Sequence, residues 1–225
     1  MREADLGETR NTIPDSLKKN KYEDVPSDYI SVYHATRMDN LEKVAKDGIM
    51  PYGENVEDLK KDPKKLTRIE LRKLTDNIID KYANEAGYPF TRSGSFYCSP
   101  EVGDNWNKAD VILEVKLDAN KVSVFDSDLV TAVTISWLRT TEGLEWLEKH
   151  PDFPPDGDRG EFLEKLEKSD EYRNDFEKYA KEYWQKGIKL NDFAKLSDEE
   201  KRKRIKVPEI LVPFKMDEKF IRVKE

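Results

Sequence analysis

The chain has 225 residues, enough for one large domain or two small ones around a real core, and 39% of them are charged, with 47 acidic against 40 basic side chains and a net charge of -7. That balance excludes dependence on broad, sequence-independent attraction to phosphate. One cysteine, Cys98, excludes an internal disulfide, and beside only two histidines, His34 and His150, it excludes a cysteine-rich structural zinc site. No charged-then-apolar leader or long apolar span stands at the N-terminus, so a cytoplasmic protein with no membrane association is expected.

Residues 1–28 are polar, carry Pro14 and Pro26 and hold no sustained apolar period, which reads as an arm, frayed or ordered on contact, ahead of a single domain over 29–225. The domain opens near Tyr29 with the run Ser31-Val32-Tyr33-His34-Ala35-Thr36, in which His34 and Thr36 share one face of a strand. Leu41, Val44 and Ala45 follow at helical spacing, and Gly48-Ile49-Met50-Pro51 stops that helix. A histidine at a strand exit with a helix just beyond it is either a satisfied core residue or one that lines a pocket.

The segment 55–87 is rich in Lys, Asp and Leu, and Leu66, Ile69, Leu71, Leu74, Ile78 and Ile79 recur as a helix requires, with Gly87 and Pro89 to end it. Phe96 and Tyr97 open a strand. Cys98 beside them reads as a buried, inert thiol, since a nucleophilic one needs an activating base. The strongest strand pattern covers 111–117, a turn follows at Asp118-Ala119-Asn120, and 122–125 is another short strand.

From about 129 to 206 the pattern is a mostly helical insertion, broken by a proline-rich loop over 151–157. Trp137, Trp146, Tyr172, Phe176, Tyr179, Tyr183 and Trp184 within it read as core aromatics rather than as a platform for bases. Lys195, Lys201, Arg202, Lys203, Arg204 and Lys206, set against Asp198, Glu199 and Glu200, are either a solvated helix face or a local basic patch. Strand character returns over 208–213 and again over 220–223. Strands at both ends around helical insertions predict a mixed α+β domain whose termini meet in one sheet system. Glu209 stands between Pro208 and the apolar Ile210-Leu211-Val212, where a carboxylate is paired, put to use, or reaches water from an edge strand.

His34-Ala35-Thr36, the Asn40-Leu41-x-x-Val44 helix closed by Gly48-Ile49-x-Pro51, the strand Gly94-Ser95-Phe96-Tyr97-x-Ser99, and Pro208-Glu209-Ile210-Leu211-Val212 ahead of Phe220-Ile221 together resemble the ADP-ribosyltransferase superfamily, in order, over 29–223. The resemblance implies an α+β split β-sandwich with helical insertions, holding NAD+ in a cleft between two sheets while ADP-ribose passes to an acceptor and nicotinamide leaves. It implies that His34 hydrogen-bonds the ribose of the nicotinamide half, with Thr36 nearby. Tyr97 or Phe96 would stack on nicotinamide, alternation letting only one of them face the cleft. Glu209 would orient the ribose and assist the attack. The pyrophosphate needs cationic donors, which Arg37 or Arg92 could supply if either is more than a surface arginine.

Val207 and Pro208 stand where arginine-directed members carry Glu-x-Glu or Gln-x-Glu, so modification of protein arginine is disfavoured. The late element is more similar to nucleic-acid-directed toxins of the superfamily, with Lys201, Arg202, Lys203 and Arg204 placed to meet a DNA or RNA acceptor. A toxin or defence effector with a neutralising protein partner fits that likeness. Two other readings share the fold: an RNA 2'-phosphotransferase, disfavoured by the scarcity of histidine, and a non-catalytic member that binds a nucleotide or a protein through the inserted helices.

Overall fold

The computed structural model describes residues 12–19, 22, 25–51, 63–102, 109–154, 157–168 and 175–224. Most of the expected arm, the start of the 55–87 segment, Pro155, Asp156 and Tyr172 lie outside them. In chain order the elements are α1 (Asp15–Lys19), β1 (Tyr29–Thr36), α2 (Leu41–Asp47), α3 (Pro63–Asp80), β2 (Phe96–Cys98), β3 (Val111–Asp118) and β4 (Ser123–Asp126). They continue with α4 (Ser127–Leu138), α5 (Thr141–Lys149), α6 (Arg159–Lys168), α7 (Phe176–Gln185), β5 (Ile188–Lys189), α8 (Leu190–Ala194), α9 (Asp198–Arg204), β6 (Pro208–Val212) and β7 (Ile221–Val223). The protein is mixed α+β with two antiparallel sheets, and it divides into a unit of residues 1–49, 98–118 and 215–225 and a unit of residues 50–97 and 119–214.

In the first unit β3 is the middle strand of the order β1-β3-β7. β1 runs antiparallel to it from Tyr29 opposite Asp118 to Thr36 opposite Val111, and Ile221 of β7 lies opposite Val115. The first and last strands of the chain therefore flank one partner, as the pattern at the two ends predicts. Alternation sends Leu113, Val115 and Leu117 into the core with Val32 and Ile221. Within the segment expected as an arm, Pro14 opens a helix, α1, whose fully buried Leu17 docks against β7. Tyr22 is tied in as well, donating its hydroxyl to the Glu114 carbonyl at 3.0 Å while its ring lies under Arg222 at 4.7 Å. Burial of Leu17 overrides the polarity of its neighbours.

In the second unit the strand order is β2-β6-β4-β5, with β4 antiparallel to both its neighbours. Its core is largely aromatic and aliphatic: Tyr183 and Trp184 of α7 pack with Phe125 of β4, Ile79 of α3 and Val133 and Trp137 of α4. Trp184 also donates its indole N–H to the Ile79 carbonyl at 2.8 Å. α3 ends at Asp80 rather than at Gly87, because the next amides turn back on nearer carbonyls, Tyr82 to Ile79 and Ala83 to Asp80, in tight turns that close at Gly87 with φ of 82°. The two-residue strand β5 interrupts the run read as helical, pairing Lys189 with Ser123. Among the described residues no helix is long and apolar enough to cross a membrane.

Candidate functional site

Glu209 reaches its position through the end of β4. Asp126, buried and capping α4, accepts from the amides of Asp128, Val207 and Lys206, while the Ser127 amide donates to the Val207 carbonyl at 2.9 Å. Those bonds clamp the chain just ahead of β6 and set its register, with Glu209 opposite Phe125.

Three donors converge on the Glu209 carboxylate. Its Oε1 accepts from Arg92 Nε at 3.1 Å and from the Tyr183 hydroxyl at 2.7 Å, and its Oε2 accepts from Arg92 Nη2 at 3.2 Å. The side chain keeps 12% of its surface exposed. Arg92 is held in turn by its own loop: the Asp80 carboxylate accepts from the Arg92 and Ser93 amides at 2.7 and 3.1 Å, and Tyr97 donates its hydroxyl to the Arg92 carbonyl at 2.9 Å. The far end of the guanidinium, Nη1, pairs with Asp76 of α3, and Arg72 one turn earlier also faces Asp76. The Tyr97 ring carries the guanidinium carbons of Arg72 and Arg92 at 4.5 and 4.7 Å.

Burial shapes the proton equilibria of this cluster. It works against the charge on Arg92, but Glu209, Tyr183, Tyr97 and Asp76 outweigh it and hold the guanidinium well above its ordinary range. It raises the Asp76 carboxyl against the pull of Arg92. Burial and then the neighbouring Glu209 charge push the Tyr183 phenol well up, so Tyr183 remains a neutral donor, and burial takes Tyr97 to about 12.

The other expected residues sit as follows. His34 is half-buried on β1, opposite Leu113, and Thr36 accepts from the Asn40 amide side chain at 3.5 Å. Arg37 is exposed and pairs with Asp39 at 3.3 Å. These three belong to the first unit, whereas Arg92, Tyr97 and Glu209 form one cluster in the second. Phe96 is buried, which leaves Tyr97 as the β2 aromatic with exposed surface. Lys201, Arg202, Lys203 and Arg204 lie on α9, whose first turn is acidic: Lys201 faces Asp198 at 3.9 Å, Lys203 pairs with Glu199 at 2.6 Å, and Arg202 donates to the Asp198 carbonyl at 3.2 Å. Cys98 is buried and its thiol is pushed up by that burial, so it holds no thiolate at neutral pH. His150 packs on the Trp146 ring at 4.1 Å and faces Glu70 at 3.2 Å, a structural arrangement.

Sequence reasoning missed Asp76, Asp80 and the hydroxyl of Tyr183. Asp76 carried a signal, since an acid flanked by buried Thr75 and followed by buried Ile78 and Ile79 lies on the core side of its helix. Among the described residues no group of three or more His, Cys, Asp or Glu side chains could hold a metal ion. No family model, no curated protein and no solved structure matches the chain.

Proposed function

We propose that the protein is an NAD+-dependent ADP-ribosyltransferase that passes ADP-ribose to a nucleic-acid or nucleotide-like acceptor and releases nicotinamide. The observation that carries this reading is the Glu209 carboxylate at the head of β6, mostly desolvated and immobilised by Arg92 and Tyr183, with part of its side chain still exposed. Cleavage of the bond from ribose to nicotinamide builds positive charge on the sugar ring. A carboxylate already oriented in a dry setting stabilises that charge without reorganising, and it can take the proton of the acceptor. Arg92 does not cancel the negative charge of Glu209 outright, because Asp76 shares the same guanidinium.

What supports this reading at the level of the fold is a mixed α+β chain whose strands form two antiparallel sheets. Arg92, only 6% exposed and turned toward two carboxylates, serves Glu209 in this reading. Arg37, exposed and paired with Asp39, is the other arginine that the resemblance offers to pyrophosphate. The test is nicotinamide release from NAD+ in the presence of DNA, RNA or protein. Wild-type protein is expected to release nicotinamide and to label a nucleic acid, and Glu209→Gln to lose turnover by about a hundredfold or more while keeping NAD+ affinity. His34→Ala is expected to weaken NAD+ binding as well. Wild-type protein that releases no nicotinamide with any of these acceptors overturns the proposal.

A further inference from the structure

The hydroxyl of Tyr183 is bound to a carboxylate that Arg92 already grips with two donors. A buried tyrosine needs one acceptor, and a backbone carbonyl serves that need as well as a carboxylate does. The ring is fully buried and stacks on Phe125 with centroids 5.0 Å apart, and Phe125 is the residue directly opposite Glu209 in the pairing of β4 with β6. The next residue on α7, Trp184, is anchored to the Ile79 carbonyl, so the helix face that aims the hydroxyl cannot rotate freely.

We propose that Tyr183 is a positioning residue for Glu209, through which the inserted helix α7 completes the site. The proposal rests on the reading of Glu209 as the catalytic carboxylate. A carboxylate oxygen has two acceptor positions. Oε1 fills both, with Arg92 Nε and the Tyr183 hydroxyl, whereas among the described residues Oε2 takes Arg92 Nη2 alone and keeps one open. Oε1 is thus the anchor and Oε2 the working oxygen. Without the hydroxyl the two oxygens become equivalent under the arginine fork, and the carboxylate can tilt away from the reacting sugar. A small displacement of this kind costs turnover more than binding.

The experiment measures steady-state nicotinamide release by the full chain. Tyr183→Phe keeps the ring and its stacking, and it is expected to lower kcat about tenfold or more with KM for NAD+ within about twofold of wild type. Tyr179→Phe, on the same helix, is expected to match wild type. In the Glu209→Gln background, adding Tyr183→Phe is expected to change residual turnover by less than about twofold, whereas a tyrosine with only a structural role lowers both backgrounds alike. If Tyr183→Phe does not fold, 3-fluorotyrosine at position 183 keeps ring and hydroxyl while making a stronger donor, and a change in kcat of about threefold or more is expected. An unchanged kcat in the variant that folds, or an equal loss in both backgrounds, overturns the positioning role. An inactive wild type overturns the reading of Glu209 itself, so the two failures are distinguishable.

Discussion

Gly48 joins two requirements that only glycine meets. It ends α2 with φ of 74°, a left-handed conformation, and a Cβ placed there would lie 1.9 Å from the Met216 carbonyl oxygen. The approach is close because Ile49 and Met216 exchange backbone hydrogen bonds of 2.9 Å in both directions. Gly48→Ala is therefore expected to destabilise the protein by about 2–4 kcal/mol, read from the denaturant midpoint, and an unchanged midpoint would mean that the two segments separate at little cost. The helix stop was legible in the sequence, since a glycine after a short amphipathic run announces it. The contact with Met216 was not, because Met216 lies 168 positions further along the chain. Glu209 divides in the same way. Its place at the head of a buried strand could be read, but its three donors come from a loop and a helix far away in sequence.

Among the elements, α9 shows how a motif can be legible while its chemical meaning is not. Ser197 and Glu200 form a reciprocal capping box, the signature Ser-x-x-Glu, and the acidic first turn followed by basic residues suits the helix dipole. That same order gives Lys201 and Lys203 partners on their own helix, so part of the apparent basic patch is internally balanced. Arg202 and Arg204 are the side chains to change if the patch meets a nucleic acid. Arg202→Gln with Arg204→Gln leaves both lysine pairs in place, and it is expected to cut labelling of DNA or RNA by about tenfold at low salt while sparing nicotinamide release in the absence of acceptor. Labelling equal to wild type would send the search for an acceptor surface elsewhere. α3 adds a complementary case. Its apolar period was clear in the sequence, but its end was not, because the Asp80 carboxylate is engaged by the amides of Arg92 and Ser93, across a turn that no local pattern encodes.

At the scale of the whole molecule, a charged group within the β1-β3-β7 sheet links stability to pH. Burial raises the Glu114 carboxyl, but the Ser31 hydroxyl at 2.5 Å and the Arg222 guanidinium at 2.7 Å outweigh it and leave it below its ordinary range. A carboxyl depressed in the folded state contributes stability above its unfolded value and loses it as pH falls through the folded one. Denaturant midpoints taken from about pH 6 to about pH 3 should therefore fall for wild type more steeply than for Glu114→Gln, and parallel curves would show that Glu114 is not linked to folding. The sequence alone determined the α+β character, most strands, the aromatic core of the inserted helices and the glycine stop after α2, because periodicity and backbone preference act over a few residues. Only the tertiary structure decided that a tyrosine from α7 and an arginine from the loop before β2 hold Glu209, and that β6 lies between β2 and β4. Pairing across a sheet and the burial of charge join residues far apart along the chain, and no local pattern carries that information.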